Sequence, residues 1–274
     1  LSASQDPGRR SRLSIAIGIA VAAVVLLGAA GVAYLFTGST PAAVSLDASA
    51  SDSTSPPSSA AAQASAATDG QASSAASAAA GSTAGAGGAG SLDGTWKVDT
   101  SIGSFSDFSS SFVGYRVQEQ LANVGAQTAV GRTPNVSGTL TLQGDTITAA
   151  TITADLTTLQ SDRPMRDGQL SHQAIQTSQF PTATFELSSP IKLSSSPAEG
   201  GSWTATAQGK LTLHGVTKDV SIPLQAKLSN GVVTVIGSLN IPFADYSISP
   251  PQSMMVLSVA DNGTMELQLH FTKG

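Results

Sequence analysis

Downstream of Asp93, apolar and polar side chains alternate with a period of two, the signature of strands that bury one face and wet the other. The clearest run covers 216–228: Val216, Lys218, Val220, Ile222, Leu224, Ala226 and Leu228 share one face, and Thr217, Asp219, Ser221, Pro223, Gln225 and Lys227 the other. Before it, Trp203, Ala205, Ala207, Gly209, Leu211 and Leu213 alternate with Thr204, Thr206, Gln208, Lys210, Thr212 and His214. Shorter runs group Val136, Leu140 and Leu142; Val233, Val235, Leu239 and Ile241; and Met265, Leu267, Leu269 and Phe271. The pairs Gly144-Asp145, His214-Gly215, Asn230-Gly231 and Asn262-Gly263 punctuate these runs, and Asn-Gly is the strongest short hairpin signal, so consecutive strands are predicted to pair antiparallel. Within 146–156 the apolar parity slips between Ala149 and Ala150, which predicts a bulge that bends the strand.

About eight such strands present too much open edge for a flat sheet, and closure into a barrel removes it. The predicted fold class is therefore all-β, an antiparallel eight-stranded barrel. Over 157–181 the alternation fails, and Arg163–Gln169 and Gln173–Gln179 read as short helices or loops laid over one barrel end. A barrel of this size is either filled by its own side chains or holds one slender ligand. The inward set contains the small residues Gly138, Ala205, Ala207, Gly209, Ala226 and Gly237. They leave room for an apolar channel or let opposite walls pack tightly, and the residues alone leave both outcomes open.

The pattern upstream is different. From Leu13 to Phe36 no charge interrupts 24 residues, which as a helix span about 36 Å, enough for the hydrocarbon core of a bilayer. Arg9, Arg10 and Arg12 precede the run and no Lys or Arg follows before Lys97, so the positive-inside rule puts the N-terminal side in the cytoplasm and the rest outside. A cleaved signal peptide is the alternative, but its apolar core usually runs only about 7–15 residues. Residues 37–92 are mostly Ala, Ser and Gly and cannot bury enough surface to offset ordering entropy, so they read as a disordered linker. The predicted organisation is a short basic cytoplasmic tail over 1–12, a transmembrane helix over 13–36, the linker over 37–92 and a barrel domain over 93–274.

Charge and chemistry narrow the function. The barrel region carries ten Lys or Arg against fourteen Asp or Glu, in a chain of net charge -5, so it lacks the basic footprint of a nucleic-acid binder. The chain has no cysteine, which removes disulfides, Cys-ligated metals and thiol nucleophiles. His172, His214 and His270 lack zinc-pair spacing; His214 and His270 take the outward parity of their strands and read as surface or turn residues. Asp162 and Asp167, interleaved with Arg163 and Arg166, read as an ion-pair cluster that shapes a loop rather than an acid-base pair. No catalytic residue, metal site or cofactor is predicted.

The string Gly209-Lys210-Leu211-Thr212-Leu213-His214-Gly215-Val216-Thr217-Lys218 resembles the G-x-L-T-x-H-G-V-T-[RK] signature of the YceI-like family, lipocalin-like barrels that bind lipids. Ser161-Asp162 with Arg166-Asp167, then Phe180-Pro181-Thr182-Ala183-Thr184-Phe185, resembles that family's R-D-x-H-L segment and its F/Y-P-x-x-x-F, and Gly94-Thr95-Trp96-Lys97-Val98-Asp99 its first strand. Departures mark a divergent branch, membrane-anchored on the reading of 13–36: Gln169 stands where the family has His, Ile175-Gln176-Thr177 replaces Phe-Phe-Asp, and Asn240–Tyr246 differs from the late-strand pattern. The resemblance implies a long apolar channel that holds a polyisoprenoid such as a quinone, or another long-chain amphiphile.

The residues expected to line that channel are Val136, Leu140, Phe185, Trp203, Ala205, Ala207, Leu211, Leu213, Lys218, Val220, Ile222, Leu224, Val233, Val235, Leu269 and Phe271. Lys218 is the polar exception, which either snorkels to the barrel mouth or meets a lipid head group. The expected function is a single-pass, membrane-anchored, extracytoplasmic module that stores or transfers an isoprenoid or related lipid. The rival is a surface or stress protein whose barrel is filled and binds nothing. The oligomeric state is not legible.

Overall fold

The computed structural model describes residues 40–46, 92–122, 124–251 and 254–274. The basic tail, the apolar run 13–36 and most of the linker lie outside the described residues, among which no helix is long and apolar enough to cross a membrane. The strands are β1 (Gly94–Val98), β2 (Phe112–Leu121), β3 (Gly125–Thr133), β4 (Val136–Gln143), β5 (Thr146–Asp155), β6 (Gln160–Ser161), β7 (Thr182–Leu187), β8 (Ile191–Lys192), β9 (Ser202–Leu213), β10 (Val216–Ser229), β11 (Val232–Pro242), β12 (Val256–Val259) and β13 (Asn262–Lys273). Among the described residues one short α-helix, α1 (Pro164–Gln169), continues into a wider π-type turn over Leu170–Ala174, and Leu156–Thr158 and Phe243–Tyr246 form single 3-10 turns.

Eight strands close a ring in the order β1-β4-β5-β7-β9-β10-β11-β13, with β13 returning to β1 and every pairing antiparallel. The seam has an unusual form. One half of β13 pairs with β1 (Phe271↔Val98), and its other half pairs with β2 (Thr264↔Arg116), which carries β3 as a hairpin. The 157–181 segment, where the alternation fails, carries β6, which pairs with β3, and α1, close to the expected helix over 163–169; over 173–179 no second helix forms, since the π-type turn that continues α1 ends at Ala174.

The turns follow from backbone chemistry. His214 and Gly215 (φ +51° and +73°), like Asn230 and Gly231 (φ +54° and +74°), hold both positive φ values of a two-residue hairpin whose twist matches its strands. The parity slip in β5 is a bulge: Thr141 faces Ala149 and Leu142 faces Ile147, which leaves Thr148 over. Asn262-Gly263 is not a turn. It begins β13 and pairs with Pro242 and Ile241, and the glycine admits the close passage of β2, since a Cβ on Gly263 would sit 2.9 Å from Val117 Cγ2.

The inward faces form the core, with Trp96, Leu140, Leu142, Trp203, Leu228, Leu269 and Phe271 at one end and Leu211, Ile241, Tyr246 and Ile248 at the other. Both outward histidines are buried, contrary to the sequence expectation. His270 is covered by the loop 99–111, its ring nitrogens meeting Ser109 O at 2.8 Å and Thr234 Oγ1 at 2.9 Å. The His214 ring packs edge-on to Phe180 at 4.5 Å, with Nδ1 3.0 Å from Tyr246 O. A strand's period assigns a side to each residue, but it does not report a loop folded over that side.

Candidate functional site

The small inward residues divide into two groups. The glycines are filled by neighbours: the Phe185 ring lies where a Cβ on Gly209 would be, Ile152 Cδ1 approaches the Gly138 position to 2.7 Å and Leu224 Cδ2 the Gly237 position to 2.6 Å. The alanines are not filled. Ala205, Ala207 and Ala226 line a lower cavity of about 120 Å³ with Trp203, Ile222 and Leu269. A second, upper cavity of about 150 Å³ lies under α1 and the π-turn, against Leu170, Ile175, Ile241 and Phe243.

Val113, Ala183, Leu211 and Met265 border both cavities and form a waist between them. Met265 is the adaptable member, since an unbranched thioether side chain changes rotamer at low cost. Together the two spaces fall short of the roughly 300 Å³ at which small-molecule pockets usually begin. A ligand that used both would be a narrow chain passing Met265.

Of the residues expected to line a channel, Leu140, Phe185, Trp203, Ala205, Ala207, Leu211, Ile222, Leu224, Val235, Leu269 and Phe271 border the lower cavity, and Leu211 with Leu213 the upper one. Val136, Val220 and Val233 pack in the apolar core without reaching either cavity. Lys218 touches neither. It is exposed near the strand end with Nζ 3.9 Å from Asp245 Oδ1, so the solvent escape expected of a lysine on an apolar face is what occurs.

Polar groups converge instead on the upper cavity, from residues the strand pattern had not singled out. Tyr115 and Glu119 project from the inner face of β2, whose parity Val113, Tyr115, Val117, Glu119, Leu121 placed an acid on an apolar side. That acid was the available signal. Arg166, on α1, donates from Nη2 to Glu119 Oε1 and from Nη1 to Asp162 Oδ1, both at 2.6 Å. Burial alone would lower the Arg166 pKa, but the hydrogen bond and charge of Glu119, with Asp162, outweigh it and raise the pKa. Asp162 pairs with Arg163 and Arg166 as the expected ion-pair cluster of this loop, while Asp167 accepts the Ser161 amide on both oxygens at 3.0 Å and ties α1 to β6.

The Tyr115 hydroxyl is buried and without a hydrogen-bond partner. Burial pushes its pKa well above the usual tyrosine value, with Asp167, Glu119 and Asp162 adding to the rise and Arg166 opposing it. A buried, unpaired phenol beside an apolar space is a donor waiting for an acceptor, and leaving it unmade costs about 1–3 kcal/mol. Among the described residues no group of three His, Asp or Glu side chains is placed to hold a metal ion.

A small closed antiparallel barrel with a divided apolar interior, polar at one end, is the class that this geometry defines. Residues 96–271 match the YceI-like domain, and the chain belongs to the YceI-like family. No curated protein matches it. Among solved structures, a polyisoprenoid binding domain from Saccharophagus degradans implicated in plant cell wall breakdown is 17% identical, with 66% of this chain and 99% of that one covered at a TM-score of 0.49. Burkholderia cenocepacia BcnA is 22% identical, with coverages of 63% and 98% and a TM-score of 0.47. The Campylobacter jejuni YCEI protein is 16% identical, with 57% and 88% covered and a TM-score of 0.43. The two strongest family-like segments meet in space, since a Cβ on Gly215 would come 2.6 Å from the Phe180 ring, which gives the His214-Gly215 and Phe180-Pro181 pairs a packing role.

Proposed function

We propose that this barrel holds one long apolar chain with a small polar head, an isoprenoid or similar lipid, and that it stores or transfers this molecule without reacting with it. The observation that carries the reading is the pair of apolar cavities that share Met265 on their borders, the upper of which is lined in part by Tyr115, whose hydroxyl is buried and unpaired. The head group is neutral and bears an acceptor oxygen, as a quinone carbonyl does. Tyr115 supplies the donor, whereas the three acids Glu119, Asp162 and Asp167 outnumber the two arginines Arg163 and Arg166 and disfavour an anion such as a diphosphate. The same reading puts the domain outside the cytoplasm, anchored by 13–36, on the asymmetry between Arg9, Arg10 and Arg12 and an uncharged downstream flank.

The small total volume favours the rival reading, a filled barrel displayed on a tether, and one experiment separates the two. Full-length protein purified from its native membrane is extracted with solvent and the extract analysed by mass spectrometry. The delipidated protein is then titrated with an isoprenoid quinone while the fluorescence of its two tryptophans, Trp96 and Trp203, the second of which borders the lower cavity, is followed. A retained long-chain lipid at about one per barrel, with saturable quenching, supports binding. An empty extract together with unquenched fluorescence establishes the filled barrel.

A further inference from the structure

Residues 40–46, from the stretch with a linker's composition, lie against the outside of the barrel. Arg116 Nη2 donates to Pro41 O at 2.5 Å, and Arg132 Nη2 to Ala42 O at 2.8 Å. Both guanidinium groups converge on one carboxylate: Arg116 Nε donates to Glu266 Oε1, and Arg132 Nη2 lies 3.4 Å from Glu266 Oε2. The Phe108 and Phe112 rings cover the Arg132 guanidinium at 4.4 and 4.3 Å. The Arg132 and Glu266 side chains are only 4% and 3% exposed. A buried and a partly buried cation thus share a single anion, and the surplus positive charge is met by two successive main-chain carbonyls.

The next residues of the segment use side chains. Val44 forms one border of a groove on the outer face of β9, β10 and β11, together with Thr204, Thr206, Pro223 and Ile236. Ile236 is an apolar residue on an outward parity and yet is only 4% exposed. Between Thr37 and Ser91, Val44 and Leu46 are the only Val, Leu, Ile, Met or aromatic residues, and they fall within the seated stretch. Carbonyl contacts alone would accept any peptide; Val44 gives this one a reason to sit here.

We propose that the outer face built from Arg116, Arg132, Glu266 and Ile236 is a docking seat for residues 41–46 of the same chain, a clip that fastens the tether to the barrel wall. The seated peptide is joined covalently to the domain, so its local concentration is in the millimolar range and a modest contact suffices. Four residues, Thr37 to Thr40, separate the apolar run from the seat, a reach of at most about 14 Å. On the reading of 13–36 as a membrane span, the β2 and β13 side of the barrel is held beside the bilayer.

The test uses the full chain, whose lack of cysteine permits clean labelling. Spin labels are attached at Ala43→Cys and Lys227→Cys, both exposed positions, and their separation is measured by pulsed electron paramagnetic resonance. A clipped tether gives a narrow, short distance distribution that Val44→Asp with Leu46→Asp broadens, and these substitutions lie outside the barrel, so its folding is not at risk. A broad distribution insensitive to those changes overturns the proposal. So does a narrow distribution that appears only when singly labelled Ala43→Cys and Lys227→Cys chains are mixed, because the seat would then hold a second copy. Neither readout depends on bound lipid.

Discussion

Replacing Met265 with alanine opens the waist between the two cavities and tests whether one ligand runs through both. An engineered apolar cavity of about 150 Å³ holds a benzene ring, six carbons. On that scale the upper cavity of about 150 Å³ takes about six carbons, and the lower one of about 120 Å³ about five, one isoprene unit. In the empty protein the substitution enlarges a void and costs about 2–3 kcal/mol, the low end of the range for methionine truncation because Met265 is only half-buried. Urea unfolding of delipidated protein measures that loss. For a bound chain the sign reverses. Five further carbons at about 0.8 kcal/mol each are worth at most about 4 kcal/mol, close to a thousandfold in affinity. The gain belongs only to ligands long enough to cross the waist. Tryptophan quenching titrations with a short and a long isoprenoid quinone give the two affinities, and the ratio of long to short is the quantity that moves. An equal change for both lengths would falsify a ligand path through Met265.

Three further outcomes are expected. Ile222→Asp places an unpaired charge in the barrel and lowers stability by several kcal/mol, whereas Ser221→Asp on the wet face changes it by about 0.5 kcal/mol or less; similar unfolding midpoints would contradict the inward assignment. Tyr115→Phe removes an unsatisfied hydroxyl, so the empty barrel is unchanged or gains about 1 kcal/mol while quinone binding weakens. Folded Tyr115 keeps its proton above the unfolded value near 10, so the unfolded state binds fewer protons from about pH 10 upward and stability declines there; urea midpoints across that range should fall less steeply in Tyr115→Phe than in the parent. Protease added to intact spheroplasts should release a fragment cut within 47–91, and full protection of the domain would place it on the cytoplasmic side.

The strands were legible because each has one wet face, and β9 and β10 show that period over a dozen residues with an unambiguous turn at His214-Gly215. Where two layers cover an outward face the period misleads. His270, Gln268 and Glu266 occupy polar positions of β13 and read as solvent-facing, yet the loop 99–111 takes Gln268 Nε2 onto Phe108 O and Ser110 O, and the two arginines enclose Glu266. Small residues misled in another way. Gly209 and Ala207 look alike in a pattern, but the Phe185 ring fills the first while the second borders a void, and only the rotamer of a residue on another strand distinguishes them. The polar end of the upper cavity depends on β2 and α1 meeting from opposite ends of the domain's first half, a contact that no local spacing announces.

The double partnership of β13 bears on how this chain reaches its folded state. That strand joins β11 along nearly its whole length, receives β1 at one end and β2 at the other, and lies downstream of every strand it joins. Until it is in place the ring is an open sheet, with pairing edges on β1, β2 and β11 bare together. Closing it brings Trp96 to Lys273 across almost the entire folded region, the kind of distant pairing that makes β topologies slow to form. During that delay the exposed edges invite pairing with other chains, so a newly made domain spends its most aggregation-prone interval waiting for a single strand.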